Sequence, residues 1–222
     1  MTTVERPAAA GPPSSDPAPS AAIPPASIRP APIRPAPIRP APIRLVLPGR
    51  TLLLVAGVPG AGKSTLLAGV ARRPGLAVLD SDVHRAALAR RLPALPYRRY
   101  RPLVHLLHRL ALVRAACGAM PTVAVHLPAT AAGTRLLVAL LAVLTGRSAH
   151  LLWVHADPAE ALAGQRARGR VVPSGSHARH ARRATDAARR LGRGRSWGFR
   201  SVTVVDRARA RAGLVLDARP LP

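Results

Sequence analysis

From Thr51 onwards the chain alternates short apolar runs with longer segments whose apolar residues recur every three or four positions. The first pattern is typical of strands buried in a parallel sheet, and the second is typical of amphipathic helices. The predicted strands cover 51–57, 75–82, 121–127, 149–156 and 201–206, and the predicted helices cover 62–73, 83–91, 101–118, 134–146 and 157–169. Alternating strands and helices form a parallel sheet with helices on both faces. The pattern therefore predicts an α/β fold around a five-stranded parallel sheet.

Two of the predicted helices carry additional local signals. The apolar stripe of helix 101–118 consists of Leu103, Leu106, Leu107, Leu110 and Val113. Gly118 is expected to end this helix, because glycine readily adopts the conformations found after a helix C-terminus. In helix 157–169, Asp157 is expected to cap the N-terminus, with Pro158 as the first helical residue. An Arg- and His-rich stretch at 166–183 is expected to lead into a further helix.

The first 48 residues have a different character. Proline, alanine and serine dominate residues 1–48, and the unit Ile-Arg-Pro-Ala-Pro repeats with a period of five within 28–44. Proline removes backbone donors and fixes φ, so this segment is predicted to be a disordered arm with polyproline II character, followed by a folded domain at 49–222. An alternative is a docking arm whose regularly spaced arginines face an acidic partner or an aromatic groove. These arginines are Arg29, Arg34, Arg39 and Arg44.

The chain is strongly basic, with a formal net charge of +25 over 222 residues. Such a charge indicates nucleic acid or another polyanion as a candidate partner. However, the abundance of Ala, Arg, Pro, Gly and Leu is typical of a GC-rich coding sequence, so the charge has a compositional explanation as well. Aromatic residues amount to 2%, and single-strand binders generally need them as stacking platforms. Nucleic-acid binding is therefore kept as an alternative function.

Several features are those of a soluble, cytoplasmic protein. The single cysteine, Cys117, has no partner for an internal disulfide, which is typical of a reducing compartment. The N-terminal sequence lacks a basic region followed by an apolar one, as a secretory signal would have. The most apolar stretch, 136–146, is too short to span a bilayer. The sequence predicts no membrane partner.

The segment from Gly57 to Ser64 has the spacing G-x-x-x-x-G-K-S and lies between an apolar run and a predicted helix. In this context glycines let backbone N–H groups converge on nucleotide phosphates, and the helix N-terminus adds a positive dipole end. Lys63 is the only lysine of the chain. Its compact ammonium can reach the β- and γ-phosphates from inside the loop, whereas the broad fork of arginine would not fit. The residues predicted to bind ATP are Gly57, Pro59, Gly60, Ala61, Gly62, Lys63, Ser64 and Thr65.

Two of the nine carboxylates, Asp80 and Asp82, follow the second predicted strand. In a doubly wound sheet this edge faces the ligand crevice. One of these carboxylates, together with the hydroxyl of Ser64, can hold Mg²⁺, and the other can orient a substrate hydroxyl for attack on the γ-phosphate. An alternative is that Asp82 only caps a helix beginning at Val83, since Asp is a favoured N-cap residue.

The sequence GVPGAGKST followed by LDSDVHR resembles the small P-loop kinases, a group that includes shikimate and gluconate kinases, polynucleotide 5'-kinases, and the chloramphenicol phosphotransferase and zeta-toxin type. The resemblance spans about residues 51–206 and implies a P-loop NTPase fold. It implies that Asp80 serves magnesium and that Asp82 is the catalytic base. Asp82 and Arg85 resemble the Asp-x-x-Arg of polynucleotide-type kinases, which implies that Arg85 contacts a substrate phosphate.

The stretch at 165–183 resembles the lid of these kinases, which implies that Arg166, Arg168 and Arg170 close over the triphosphate and neutralise charge on the transferred group. One position departs from the family pattern. The third strand of related kinases usually ends in an acid, whereas here it ends in His126, and histidine is a poor ligand for Mg²⁺. Two alternatives follow: His126 contacts substrate, or the protein binds nucleotide without efficient transfer.

These features predict an ATP- and Mg²⁺-dependent kinase whose acceptor is a hydroxyl of a small molecule or of a nucleic-acid end. The predicted catalytic residues are Lys63, Asp82, Arg85, Arg166 and Arg170, and the predicted metal ligands are Ser64 and Asp80. The alternatives are a nucleotide-binding regulatory ATPase without efficient phosphotransfer, and a protein that binds polyanions or nucleic acid.

Overall fold

The structure, a computed structural model, describes residues 41–70, 74–167, 174–194, 196 and 198–219. All of them lie in the unit Ile38–Pro222, and the predicted arm before residue 41 lies outside the described residues. The strands are β1 (Ile43–Pro48), β2 (Thr51–Gly57), β3 (Leu76–Leu79), β4 (Thr122–His126), β5 (Ser148–Val154), β6 (Ser201–Val205) and β7 (Leu214–Arg219). The helices are α1 (Lys63–Ala68), α2 (Ser81–Arg91), α3 (Tyr97–Cys117), α4 (Ala132–Leu144), α5 (Pro158–Arg166), α6 (Ser174–Gly192) and α7 (Arg207–Arg211). Within this described part, no helix combines the length and apolarity needed to cross a bilayer.

Five strands form one parallel sheet in the order β3-β4-β2-β5-β6. The central strand β2 is buried over its whole length, because α1 and the other helices cover the sheet on both faces. The largest fully buried side chain, Trp153, belongs to the neighbouring strand β5. The predicted five-stranded parallel sheet is confirmed. Since all five strands run in one direction, the loops after β2, β3 and β4 meet at the same edge of the sheet.

Strand β1 corrects the predicted end of the N-terminal arm. Ile43–Pro48 pairs in parallel with β7, and Ile43 lies opposite Leu214. The side chains of Ile43, Leu47, Leu214 and Leu216 are buried in the main core. Residues 43–48 therefore belong to the folded domain, although the proline-rich composition placed them in the arm. The alternating apolar residues of IRLVLP form a strand because a partner strand is available near the C-terminus of the domain.

Helix α3 overlaps the predicted helix 101–118 but begins earlier, at Tyr97, and it does not have the predicted buried face. It buries Tyr100, Val104, His108, Leu112 and Ala116, which recur every four positions. Four members of the predicted apolar stripe are instead exposed, namely Leu103, Leu106, Leu110 and Val113. Because this helix carries apolar residues on more than one side, its contacts with α2 and with the sheet decide which row is buried.

Candidate functional site

The loop between β2 and α1 depends on glycine for its conformation. Gly57, Gly60 and Gly62 have φ values of 140°, 90° and 100°, which other residues rarely adopt. A Cβ at Gly57 would lie 2.2 Å from the carbonyl oxygen of Val154, and a Cβ at Gly60 would lie 2.1 Å from that of Ala161. The loop is therefore pressed against β5 and α5 at two glycines that have no room for a side chain.

The ammonium group of Lys63 lies inside this loop. The side chain is 3% exposed, and Nζ donates hydrogen bonds to the carbonyl oxygens of Gly57 at 3.0 Å and Val58 at 2.7 Å. An ammonium can point its three donors in different directions from one atom, which suits a narrow loop better than a planar guanidinium does. The only lysine of the chain therefore occupies the centre of the predicted phosphate site.

Helix α5 supports the loop from outside. Nε2 of the buried Gln165 donates to the carbonyl oxygen of Pro59 at 3.1 Å. A Cβ at Gly164 would lie 2.3 Å from the carbonyl oxygen of Gly60, so the helix and the loop are in direct backbone contact. The start of α5 is as predicted: Pro158 is its first residue, and the carboxylate of Glu160 accepts from the backbone N–H of Asp157 at 3.3 Å. Together these contacts fix the shape of the loop.

Two alanine substitutions separate the strain of positive φ from the lack of space. Gly60→Ala is expected to lower the free energy of unfolding by about 3 kcal/mol or more, because it combines strained φ with a backbone clash. Gly62→Ala is the matched control, since its added Cβ meets nothing within 4 Å, and it is expected to cost only about 1–2 kcal/mol. Denaturant unfolding without nucleotide measures both. Equal losses would contradict the close packing of Gly60 against α5.

Three polar side chains meet beside the loop, from α1, from the residue that follows β3, and from the end of β4. Nδ1 of His126 lies 3.0 Å from Oδ2 of Asp80 and 3.5 Å from Oγ of Ser64. Burial alone would raise the pKa of Asp80, but hydrogen bonds and electrostatic attraction from His126, with hydrogen bonds from the Asp82 backbone and Ser64, hold this pKa well below its usual range. The Asp80 carboxylate is therefore ionised at neutral pH. We call Ser64, Asp80 and His126 the polar triad.

The cap of α2 differs from the predicted one. Helix α2 begins at Ser81, its N-cap residue is Asp80, and Oδ1 of Asp80 accepts from the backbone N–H of Asp82 at 3.0 Å. The alternative in which Asp82 caps a helix beginning at Val83 is wrong, because Asp80 already fills that role. Asp82 lies instead in the first turn of α2, next to the polar triad. Asp80 thus fixes the start of the helix with one oxygen and joins the triad with the other.

His108 is a residue of this region that the sequence did not reveal. It is 1% exposed, and Nε2 donates to the backbone carbonyl of His126 at 3.1 Å. Burial is the largest cause that lowers the pKa of His108, so the ring is neutral at physiological pH. The signal was its place in the row of every fourth residue with Val104 and Leu112, which is the buried face of α3. His108 ties the end of β4 to α3.

The structure describes two of the predicted lid and substrate arginines, Arg85 and Arg166. The guanidinium of Arg85 stacks on the ring of Tyr97 with 4.6 Å between Cζ and the ring centroid, one helical turn after Asp82. Arg166 is the exposed last residue of α5, while Arg168 and Arg170 lie outside the described residues. Thr65 is exposed on α1. The catalytic and binding roles of these residues stay predictions.

Arg135 is a buried arginine that forms hydrogen bonds with the backbone. Its side chain is 2% exposed, and Nη1 donates to the carbonyl oxygens of Ala129 at 2.6 Å and Thr130 at 3.0 Å. Ala129 has a φ of 43°, which is uncommon for a residue other than glycine. Hydrogen bonds to the carbonyl groups of this turn help to stabilise that conformation. Burial lowers the pKa of Arg135. Arg135 therefore stabilises the turn that follows His126.

The polar triad fits the predicted magnesium ion only in part. The hydroxyl of Ser64 and the carboxylate of Asp80 are oxygen donors of the kind that Mg²⁺ prefers. The imidazole of His126, which lies within hydrogen-bond distance of Asp80, is a nitrogen donor that Mg²⁺ disfavours. Within the described part of the chain there is no group of three or more His, Cys, Asp or Glu residues that could hold a metal by itself. As it stands, the donor set does not match Mg²⁺.

The glycine loop after the central strand, the buried Lys63 and the strand order β3-β4-β2-β5-β6 define a P-loop NTPase fold. The chain belongs to the AAA domain family, whose model matches residues 52–191, and it has the fold of the small P-loop kinases. The resemblance inferred from the phosphate loop and the acid pair is thereby confirmed.

Solved structures share this fold at low sequence identity. One comes from work on the PezAT toxin-antitoxin system of Streptococcus pneumoniae, with 14% identity, a TM-score of 0.53, and coverage of 72% of this chain and 68% of that chain. A candidate kinase from Chloroflexus aurantiacus has 17% identity, a TM-score of 0.50, and coverage of 72% and 86%. No curated protein shows a significant match. At these identities the likeness establishes the fold alone.

Proposed function

We propose that the chain is an ATP-dependent phosphotransferase that acts on a hydroxyl acceptor. The observation that carries the proposal is the buried Lys63 ammonium inside a preformed glycine loop, at the same sheet edge as Asp80 and Asp82. Membership of the AAA domain family and the kinase-type fold support it. A loop of this shape binds the phosphates of a nucleotide, and the carboxylates beside it supply groups for transfer.

ATP is the proposed donor. The backbone N–H groups of the loop and the N-terminus of α1 face the phosphates, which carry the charge that this arrangement attracts. Lys63, now bonded to the carbonyl oxygens of Gly57 and Val58, turns toward the β- and γ-phosphates when ATP binds. It stabilises the negative charge that develops on the transferred group and on the leaving ADP.

Asp82 is the proposed base. It accepts the proton of the acceptor hydroxyl as the hydroxyl oxygen attacks the γ-phosphorus, and the bond from that phosphorus to the bridging oxygen breaks so that ADP leaves. Its place in the first turn of α2, two residues after Asp80, brings it to the edge where the phosphate loop opens. The products are ADP and a phosphorylated acceptor.

Two further arginines have proposed roles, Arg85 in binding the acceptor and Arg166 in binding ATP. Arg85 is held against the ring of Tyr97, and such stacking leaves the N–H groups at the guanidinium edge available for an anionic group on the acceptor. Arg166 ends α5 beside the phosphate loop and, with Arg170, is proposed to neutralise charge on the transferred group. Acceptors with a phosphate or carboxylate near the hydroxyl are therefore favoured over neutral ones.

A second candidate is a regulatory protein that binds nucleotide without efficient transfer. The observation that favours it is His126 in the polar triad, at a strand end where related kinases usually carry an acid. In that case the bound nucleotide controls the conformation of the protein, and Asp82 has no proton to accept.

The test is a product screen with the full-length protein. ATP is incubated with the protein, divalent cations and pooled hydroxyl acceptors, which include sugars, antibiotics and oligonucleotides with 5'-hydroxyl ends, and mass spectrometry detects products that carry one added phosphoryl group. A product that requires the protein supports the kinase. Tight ATP binding without product under every condition would favour the regulatory candidate. Salt-dependent retention of oligonucleotides without phosphorylation would instead favour nucleic-acid binding.

A further inference from the structure

The imidazole of His126 lies between Asp80 and the first turn of α1. His126 is the last residue of β4 and lies opposite Val55 of β2 in the parallel register, so the ring reaches the start of α1. Nδ1 is 3.0 Å from Oδ2 of Asp80 and 3.5 Å from Oγ of Ser64. The side chains of His126 and Asp80 remain 17% and 21% exposed, so a ligand in the crevice can reach both.

We propose that the polar triad is the protein half of a transition-metal site, which makes the chain bind ATP with a Mn²⁺- or Co²⁺-type ion in preference to Mg²⁺. The remaining ligands are phosphate oxygens and water. The inference rests on the proposed nucleotide site and specifies which cation that site takes.

The spacing of the three donor atoms suits a shared ion. Two ligand atoms on adjacent corners of an octahedron with bonds of about 2.1 Å lie about 3.0 Å apart. The distance from His126 Nδ1 to Asp80 Oδ2 is 3.0 Å, and the distance from Nδ1 to Ser64 Oγ is 3.5 Å. Ser64 also bonds to the carboxylate of Asp80, so each pair in the triad is in close contact. Little movement is needed to direct all three atoms at one ion.

The donor chemistry selects the metal. Imidazole nitrogen binds first-row transition ions well, whereas Mg²⁺ keeps oxygen ligands and water, and the affinity of a mixed nitrogen and oxygen site rises from Mn²⁺ through Co²⁺. A ring nitrogen binds a metal ion only when it carries no proton. Nδ1 is therefore a ligand in the tautomer whose proton is on Nε2. Meanwhile the hydrogen bond from His108 to the His126 carbonyl holds the backbone that aims the ring.

The experiment measures binding and not turnover. Full-length protein is titrated with a non-hydrolysable ATP analogue in saturating Mg²⁺, Mn²⁺ or Co²⁺, and Kd is obtained by calorimetry. The wild type is expected to bind the analogue about tenfold or more tightly with Mn²⁺ or Co²⁺ than with Mg²⁺. The visible absorption of the Co²⁺ complex is a second readout, because a nitrogen ligand shifts it relative to an all-oxygen site.

His126→Asp is expected to remove the preference, since it restores an oxygen donor, and to return the Co²⁺ spectrum to that of an oxygen site. His126→Asn keeps a polar side chain of similar size and is expected to lose the preference as well. Because Asn adds no charge, this result would exclude misfolding caused by a new charge as the explanation. The matched control is His105→Asp on the exposed side of α3, which is expected to retain both the preference and the spectrum.

The outcomes separate this inference from the proposed function. Equal Kd values for Mg²⁺ and Mn²⁺ in the wild type, or an unchanged ratio in His126→Asp, would show that His126 is only an ion-pair partner of Asp80 and would overturn the metal assignment while leaving the nucleotide site intact. Failure of the folded protein to bind the analogue with any cation would overturn both proposals.

Discussion

Asp82→Asn is expected to slow phosphoryl transfer about 10²- to 10⁴-fold while ATP affinity stays nearly unchanged. The amide cannot take the proton of the acceptor hydroxyl, but the phosphate loop and Lys63 are untouched. The backbone N–H of residue 82, which bonds to Oδ1 of Asp80, is also retained. Single-turnover transfer to the acceptor found in the product screen measures the rate, and equilibrium binding of ATP measures the affinity.

The control for Asp82→Asn is Asp186→Asn on α6, which removes a carboxylate that pairs with Arg189 at the surface. Exposed pairs of this kind contribute little to stability, so transfer should be that of the wild type. Thermal unfolding of both variants establishes that they are folded. Equal losses of ATP affinity and of transfer in Asp82→Asn would rule out its assignment as the base.

Lys63→Met is expected to weaken ATP binding about tenfold to a hundredfold, because it removes charge-assisted hydrogen bonds to phosphate. Lys63→Arg is expected to be nearly as defective, since the side chain is 3% exposed and the loop has no room for a planar fork. Equilibrium titration with ATP measures both. An affinity close to that of the wild type in Lys63→Arg would show that charge alone suffices there.

Arg114→Met supplies the control for loss of a cation, because Arg114 is exposed on α3. Its effect on ATP affinity should be small in buffer of physiological ionic strength, where distant surface charges are screened. Denaturant unfolding adds an independent check. Lys63→Met removes a buried charge but also the donor to two carbonyl oxygens, so the two effects oppose each other and stability without nucleotide is expected to change little.

The sequence predicts the five-stranded parallel sheet and the glycine loop before α1 well, because both depend on local patterns. Glycines at fixed spacing determine the loop, and the apolar runs determine the strands. Helix α2 was misplaced at its start because Asp80 serves two purposes at once, as N-cap of the helix and as a member of the polar triad. A sequence pattern assigns each carboxylate one role and does not show this overlap.

The other features that the sequence missed depend on contacts between distant parts of the chain. The strand at Ile43–Pro48 forms because it pairs with β7, and its proline-rich surroundings conceal that. Likewise, the buried face of α3 is fixed by packing on α2 and on the sheet, and by the bond from His108 to the His126 carbonyl. Helical periodicity alone predicts burial of another apolar row, and that row is mostly exposed in the structure.

The burial of Lys63 has a chemical consequence. No other side chain of the protein carries a primary amine, and this one is shielded by the loop and bonded to two carbonyl oxygens. Reagents that acylate amines therefore have one side-chain target, and they reach it only when the loop opens. The rate of acylation at this single position reports how often the loop exposes its interior, so the dynamics of the nucleotide site can be followed without a label introduced by mutation.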